Sequence, residues 1–210
     1  MDMSKEYLQS LLEESAEWAR QLEEYAKENH VPIMEPLGMQ FLMQLIRLKQ
    51  PNKIVEIGAA IGYSALRMQE AYPEATITTI ERDEERYQEA RKNVTAYDKQ
   101  GKIHLIFGDA LECSNEIEKK GPFDLLFIDA AKGQYQRFFE LYAPMLTTDG
   151  VIITDNVLFK GLVADPTKAD KRKQKLANKI KAYNTWLTSH PDYNTSIVPV
   201  GDGVAITTKK

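Results

Sequence analysis

The stretch Lys53-Ile-Val-Glu-Ile-Gly-Ala-Ala-Ile-Gly-Tyr-Ser64 decides how the rest of the chain reads. Its first five residues form a short, largely apolar run that ends at a glycine, which reads as a buried strand. Glycines 58 and 62 let the backbone turn tightly, come close to a ligand and start a helix near Tyr63. The spacing is G-x-x-x-G. Ala60 stands where the dinucleotide fingerprint G-x-G-x-x-G would need glycine. Taken alone, the segment also reads as a packing turn.

Beyond this segment the chain alternates. Strands are expected at 76–80, 103–107, 123–128 and 151–154, with helices at 63–72, 83–97, 111–119 and 134–145 between them. A long basic helix over 167–188 follows, then strands at 195–200 and 204–208 around the hairpin signal Gly201-Asp-Gly203. Upstream, Leu8, Leu11, Leu12, Ala16, Ala19, Leu22 and Ala26 lie at helical spacing and predict one amphipathic helix over 3–29. Pro32 and Pro36 break that pattern, and a second helix spans about 37–48 and stops before Pro51. The expected fold is α/β: a Rossmann-like, seven-stranded, mostly parallel sheet with helices on both faces and a C-terminal antiparallel hairpin. Residues 1–210 read as a single domain, with helices 3–48 as an extension on the cofactor or dimer side.

Composition sets the outer limits. Of the 210 residues, 43% are hydrophobic and 28% charged, a globular mix with enough apolar surface for a core. The single cysteine, Cys113, excludes an internal disulfide and any multi-cysteine metal cage. It reads as a small hydrophobe, and His30, His104 and His190 have no ligand partner near them in sequence. No secretory leader and no run of about 20 apolar residues is visible, so a cytoplasmic, non-membrane setting is expected. The net charge of −4 argues against a general nucleic-acid coat. Yet residues 160–181 hold Lys160, Lys168, Lys171, Arg172, Lys173, Lys175, Lys179 and Lys181 against only Asp165 and Asp170. That run is either a solvated helix face or a means of attracting an anionic substrate.

In such sheets ligands sit beyond the carboxyl ends of the strands, where strand order reverses. The residues after each strand therefore matter most. Glu81 follows the second strand and can accept both hydroxyls of a ribose; a helix N-terminal charge is the other reading, which Asp83 explains better. Gly108-Asp109-Ala110 follows the third, where Asp109 suits an exocyclic amine such as that of adenine, or a helix cap. Together with the 58–62 turn, these outline an adenosine-shaped pocket. Asp129-Ala-Ala-Lys132 follows the fourth strand and Asp155-Asn156 the fifth. Neighbouring strands lie about 4.8 Å apart, so two carboxylates and an amide can converge on one hard cation. Each Asp alone reads as a solvated turn residue; the pair, with Asn156 and Lys132, favours a metal such as Mg²⁺.

The segments Val55-Glu-Ile-Gly-Ala-Ala-Ile-Gly-Tyr-Ser64, Ile128-Asp-Ala-Ala-Lys132 and Thr154-Asp-Asn156 closely resemble the cation-dependent catechol and caffeoyl-CoA type O-methyltransferases. The likeness runs from about Met34 to Lys210. Its short length and the Pro32–Gln40 segment resemble the bacterial branch, which includes tRNA 5-hydroxyuridine methyltransferases. The resemblance implies S-adenosylmethionine as methyl donor and Mg²⁺ or another divalent cation as cofactor. It implies that Asp129, Asp155 and Asn156 ligate the metal, and that Lys132 assists deprotonation beside Asp129. It also implies that Glu56, Gly58, Gly62 and Ser64 hold the amino-acid end and sulfonium of the donor, while Glu81 takes the ribose. Asp109 and Ala110 would take the adenine, Asp129 would border the same pocket, and Met34 and Glu35 would cover it. A homodimer is implied on the same ground. The short N-terminus and the basic 160–181 run depart from the plant enzymes.

Metal chelation narrows the acceptor to vicinal oxygens: 5-hydroxyuridine in tRNA, or a small catechol-like phenol. A tRNA substrate needs cations for its phosphates, and the basic run offers them. A nicotinamide dehydrogenase shares the glycine turn and the later acid but leaves Asp129, Asp155 and Asn156 unexplained. A non-catalytic RNA-binding module would not need those residues intact.

Overall fold

In the computed structural model, which describes residues 3–210 without the side chains of Met3, Ser4 and Lys168, the strand signals at 53–57, 76–80, 103–107 and 123–128 all fold as strands. They are β1 (Lys53–Ile57), β2 (Thr76–Glu81), β3 (Ile103–Phe107) and β4 (Phe123–Ile128), joined by α4 (Tyr63–Ala71), α5 (Glu84–Tyr97) and the short α6 (Ser114–Glu118). After β4 come α7 (Tyr135–Tyr142), β5 (Leu146–Thr154), α8 (Lys171–Thr188), β6 (Tyr193–Val198) and β7 (Val204–Lys209). The seven strands form one sheet in the order β3-β2-β1-β4-β5-β7-β6. The first five are parallel, and β7 pairs antiparallel with both β5 and β6.

Period-two alternation sorts the apolar residues of the central strands onto two faces. Ile54, Leu125 and Phe127 pack with α2 (Glu17–Glu28), α3 (Pro36–Lys49) and α4 on one side. Val55, Ile57, Leu126 and Ile128 pack with α7 and α8 on the other. Both faces of β1 and β4 are therefore dry, which is why these strands read as near-continuous apolar runs. Strand order reverses between β1 and β4, so a crevice opens beyond their carboxyl ends.

Four local expectations differ from the fold. The helix expected over 3–29 is two, α1 (Met3–Ser10) and α2. Ser15 separates them: its hydroxyl donates to Glu23 (3.1 Å) and accepts from Arg67 of α4 (3.0 Å), which pulls the chain out of helix. Pro36 opens α3 instead of interrupting a pattern, because the first helical residue needs no N–H partner. The fifth strand begins at Leu146, with an irregular register against β4 between Phe123 and Leu125. Finally, α8 starts at Lys171, where Asp170 caps the Lys173 N–H at 2.9 Å, after a separate 3-10 turn at Pro166–Lys168. No helix among the described residues is long and apolar enough to cross a membrane.

Candidate active site

The parallel ladder continues one residue beyond the strands and delivers the site. The Asp129 N–H donates to Ile57 O and the Asp155 N–H to Ile128 O, each at 3.0 Å, so two acids stand side by side on neighbouring strand ends. Asn156 follows in the left-handed region (φ 62°), a conformation that Asn tolerates better than most residues. Its Nδ2 lies 2.5 Å from Asp155 Oδ2 and 3.5 Å from Asp129 Oδ1, while its Oδ1 accepts from Lys132 Nζ at 2.6 Å. The four residues predicted from the strand ends thus meet at one point.

Asp155 is buried, while Asp129 is half-buried at the cavity wall. Burial holds the Asp129 carboxyl above its ordinary range, and burial reinforced by the neighbouring Asp129 charge pushes Asp155 up to about 8. Two adjacent carboxylates with an amide beside them make a donor set that suits a small hard cation. Among the described residues no third His, Cys, Asp or Glu joins them, so the protein offers an incomplete oxygen shell with room for substrate oxygens. Tyr135 supports the arrangement from below, its hydroxyl donating to Asp155 O at 2.9 Å.

A cavity of ≈ 280 Å³ opens beside this cluster, lined among others by Met34, Gly58, Glu81, Asp109, Asp129 and Lys132. Gly58 (φ 100°) is required here, since a Cβ would collide with the Asp129 carbonyl oxygen. Glu81 is clamped by backbone donors: Arg82 N–H (2.9 Å) and Asp83 N–H (2.8 Å) on Oε1, Ala60 N–H (2.8 Å) on Oε2. Its carboxylate is therefore fixed at the pocket wall. Asp109 accepts from Leu111 N–H at 2.9 Å as a turn cap, and it lines the cavity. Ala110 is buried beside it, and its carbonyl accepts from the Tyr142 hydroxyl at 2.6 Å.

Glu56 is fully buried beneath the glycine turn. Ser64 donates to its Oε1, and the buried Thr79 hydroxyl, opposite Glu56 in the β1–β2 ladder, also acts on this carboxyl. Burial pushes this carboxyl up to about 7. A carboxyl at that depth, beneath the glycine turn, fits a positively charged guest above it. Four predicted residues, Glu35, Glu56, Gly62 and Asp155, stand outside the cavity lining. Glu35 is at the N-cap of α3 with its side chain paired to Lys5 (2.7 Å), and Gly62 (φ 81°) starts α4 against Val94. Tyr63 and Phe138 also line the cavity, although in sequence they read only as helix-face residues. Ala60 adopts φ 45°, and its N–H reaches Glu81; alanine in that position carries no sequence signal.

Of the exposed cations of α8, Lys179 lies beside the site. The helix leaves from the carboxyl end of β5, and Lys179 packs against Gly133, next to Lys132. Its buried seam is Ala177, Ile180, Tyr183 and Leu187, which leaves Lys171, Arg172, Lys173, Lys175 and Lys179 in solvent. Lys168 also belongs to the basic run, but its side chain lies outside the described residues.

Comparison with known proteins agrees with this geometry. The O-methyltransferase family model matches residues 4–210. An O-methyltransferase of Aspergillus thermomutatus, ankF, is 29% identical over 81% of this chain and 76% of its own length. Caffeoyl-CoA O-methyltransferase 1 of Arabidopsis thaliana is 31% identical over 80% of this chain and 67% of its own. A crystal structure from Staphylococcus aureus, provisionally described as a caffeoyl-CoA O-methyltransferase, superposes with a TM-score of 0.93 at 37% identity, covering 100% of both chains. The sheet sets a pocket walled by Glu81 and Asp109 at its switch point, with Asp129 and Asp155 at its rim. The chain belongs to the O-methyltransferase family, and its class is that of the S-adenosylmethionine-dependent O-methyltransferases.

Proposed function

We propose that this enzyme uses a divalent cation, Mg²⁺ by preference, to methylate one of two vicinal oxygens, and that its acceptor is 5-hydroxyuridine in tRNA. The observation that carries the metal-assisted reading is the convergence of Asp129, Asp155, Asn156 and Lys132 at the rim of the cavity. Asp129, Asp155 and Asn156 would hold the cation, which when bound acidifies the acceptor hydroxyl and chelates its neighbouring oxygen. Lys132, whose Nζ donates to Asn156 Oδ1 beside the acids, would assist removal of the hydroxyl proton. Glu56 supplies negative charge below the donor sulfonium, Ser64 fixes that carboxylate, and Gly58 lets the donor approach the backbone. Glu81 and Asp109 receive the ribose and adenine, with Ala110 and Met34 packing around them. The acceptor oxygen then attacks the methyl carbon in line with the departing sulfur: the O–CH₃ bond forms, the S–CH₃ bond breaks, and the donor leaves as a neutral thioether.

The exposed cations of α8, with Lys179 beside the site, support a polyanionic acceptor. The names of the plant relatives favour the alternative, a small catechol-like phenol, which presents the same pair of oxygens to the site. We further infer that residues 1–210 act as one cytoplasmic methyltransferase domain that pairs as a homodimer on its N-terminal side. Exposed Tyr7, Leu8 and Leu11 on and just beyond α1 support that pairing. The deciding measurement is transfer of label from radiolabelled S-adenosylmethionine, with Mg²⁺ or with a chelator, to 5-hydroxyuridine-containing tRNA and to catechol. The expected result is Mg²⁺-dependent label in tRNA, well above that in catechol. Label in catechol alone would overturn the tRNA acceptor, and label that persists in chelator would overturn the metal.

A further inference from the structure

The hairpin between β6 and β7 does more than turn the chain. Its tip, residues 200–203, reaches back over the sheet edge to the loop that follows Asn156. Gly203 O accepts from Val157 N–H at 3.0 Å, Asp202 O from Leu158 N–H at 2.9 Å, and Asp202 Oδ1 from Lys160 N–H at 2.5 Å. The partners are 42 residues apart at the Asp202–Lys160 bond. The other side of the tip is just as close: a Cβ on Gly201 would stand 3.3 Å from Gly38 Cα, in the first turn of α3 beyond Met34 and Glu35. Gly203 (φ 88°) abuts Leu158 so tightly that a Cβ would overlap its side chain. The tip therefore joins the segment beside the donor cavity to the loop beside the acid pair.

That loop is held in an unfavourable shape. Asn156 (φ 62°), Phe159 (φ 46°) and Lys160 (φ 55°) are all left-handed without being glycine. Such conformations persist only where surrounding bonds over-determine them, and they concentrate at functional sites. The hairpin tip supplies three such bonds, and Asp202 is the residue that contributes a side chain to them.

We propose that Asp202 is a positioning residue of the methyl transfer: by tying Lys160 to the hairpin it fixes the left-handed loop, and through it Asn156 and the wall that meets the acceptor. The proposal rests on the metal-assisted reading of Asp129, Asp155 and Asn156. It concerns a hydrogen-bond acceptor and not a charge, so Asn at 202 should serve where Ala does not.

The test uses Asp202→Ala and Asp202→Asn in the full chain, with three readouts: Mn²⁺ affinity by electron paramagnetic resonance, S-adenosylmethionine affinity by calorimetry, and the rate of tryptic cleavage after Lys160. Methylation of catechol, split into kcat and KM, is measured alongside. For Asp202→Ala we expect Mn²⁺ affinity and catechol kcat/KM to fall about tenfold, as is usual when a residue that orients a ligand is lost. Cleavage after Lys160 should quicken while donor affinity stays within about twofold, and Asp202→Asn should restore most of each loss. Unchanged cleavage and unchanged Mn²⁺ affinity in Asp202→Ala would overturn the proposal. So would an equal fall in donor affinity and thermal stability, which marks general loosening, or failure of Asp202→Asn to restore. If wild-type protein binds no Mn²⁺ and methylates catechol without metal, the underlying reading fails instead. In that case faster cleavage with unaltered catechol kcat/KM would confine Asp202 to holding the loop and overturn its role in transfer.

Discussion

Asp155 is the residue on which the metal reading can be tested most sharply. Replacing Asp155 by Ala leaves Asp129 with one amide neighbour, and the donor cavity loses no lining residue. We expect methyl transfer to fall by at least about a hundredfold, with S-adenosylmethionine affinity by calorimetry nearly unchanged, since losing a ligand removes the chelation that aligns the acceptor. Glu56 gives the pH dependence. Its carboxyl is pushed up to about 7 by burial, so the unliganded folded state keeps this proton up to neutrality while the unfolded chain loses it near 4.5. The sign follows: the cost of ionising Glu56 is absent at low pH and grows as pH rises from about 4.5 to 7. A cationic donor needs the ionised form, so its affinity should rise roughly tenfold between about pH 6 and pH 8, in proportion to the ionised fraction. Calorimetry at the two pH values checks this, and Glu56→Gln should flatten the dependence while weakening binding at the higher pH.

At the scale of elements, α8 separates the two acceptors. Its apolar seam explains why it packs, and its solvent-facing cations have no structural need to be so numerous. Lys173 is partly spent on its exposed pair with Asp170 (3.4 Å), whereas Lys171 and Arg172 form no ion pair among the described residues. Changing Lys171, Arg172 and Lys173 together to Gln should weaken tRNA methylation and flatten its logarithmic salt dependence by about 2, roughly 0.7–0.9 for each phosphate no longer neutralised. Catechol methylation by the same variant should be unaffected. Initial rates at about 50 and 200 mM salt measure both, a fourfold span of ionic strength. Unaltered tRNA rates would return α8 to a solvated face. Element boundaries also depend on distant residues. The periodicity of residues 3–29 is genuine in both halves, yet the break at Ser15 has no local signal, because the pull comes from Arg67, 52 residues away.

For the whole molecule, stability rests on the double-faced sheet. Phe127 lies fully buried among α3, α4 and the N-terminal helices, and Phe127→Ala should cost about 3–5 kcal/mol. Urea unfolding should show a lower midpoint at unchanged slope; an unaltered midpoint would mean that this face is not part of the cooperative core. Much of the architecture is legible in the sequence because it depends on neighbours along the chain. Alternation of apolar residues marks the strands, glycines at 58 and 62 mark the turn, and the acids Glu81, Asp109, Asp129 and Asp155 each follow a strand that a parallel sheet must align. Strand spacing then makes the meeting of Asp129, Asp155 and Asn156 a matter of simple geometry. The tertiary structure alone decided the rest. It buried Glu56 against Ser64 and Thr79, turned Glu35 away to Lys5, and carried Asp202 of a hairpin to Lys160. Those outcomes hang on packing between segments tens of residues apart, where side-chain direction and burial are set by the assembled core and no local pattern records them.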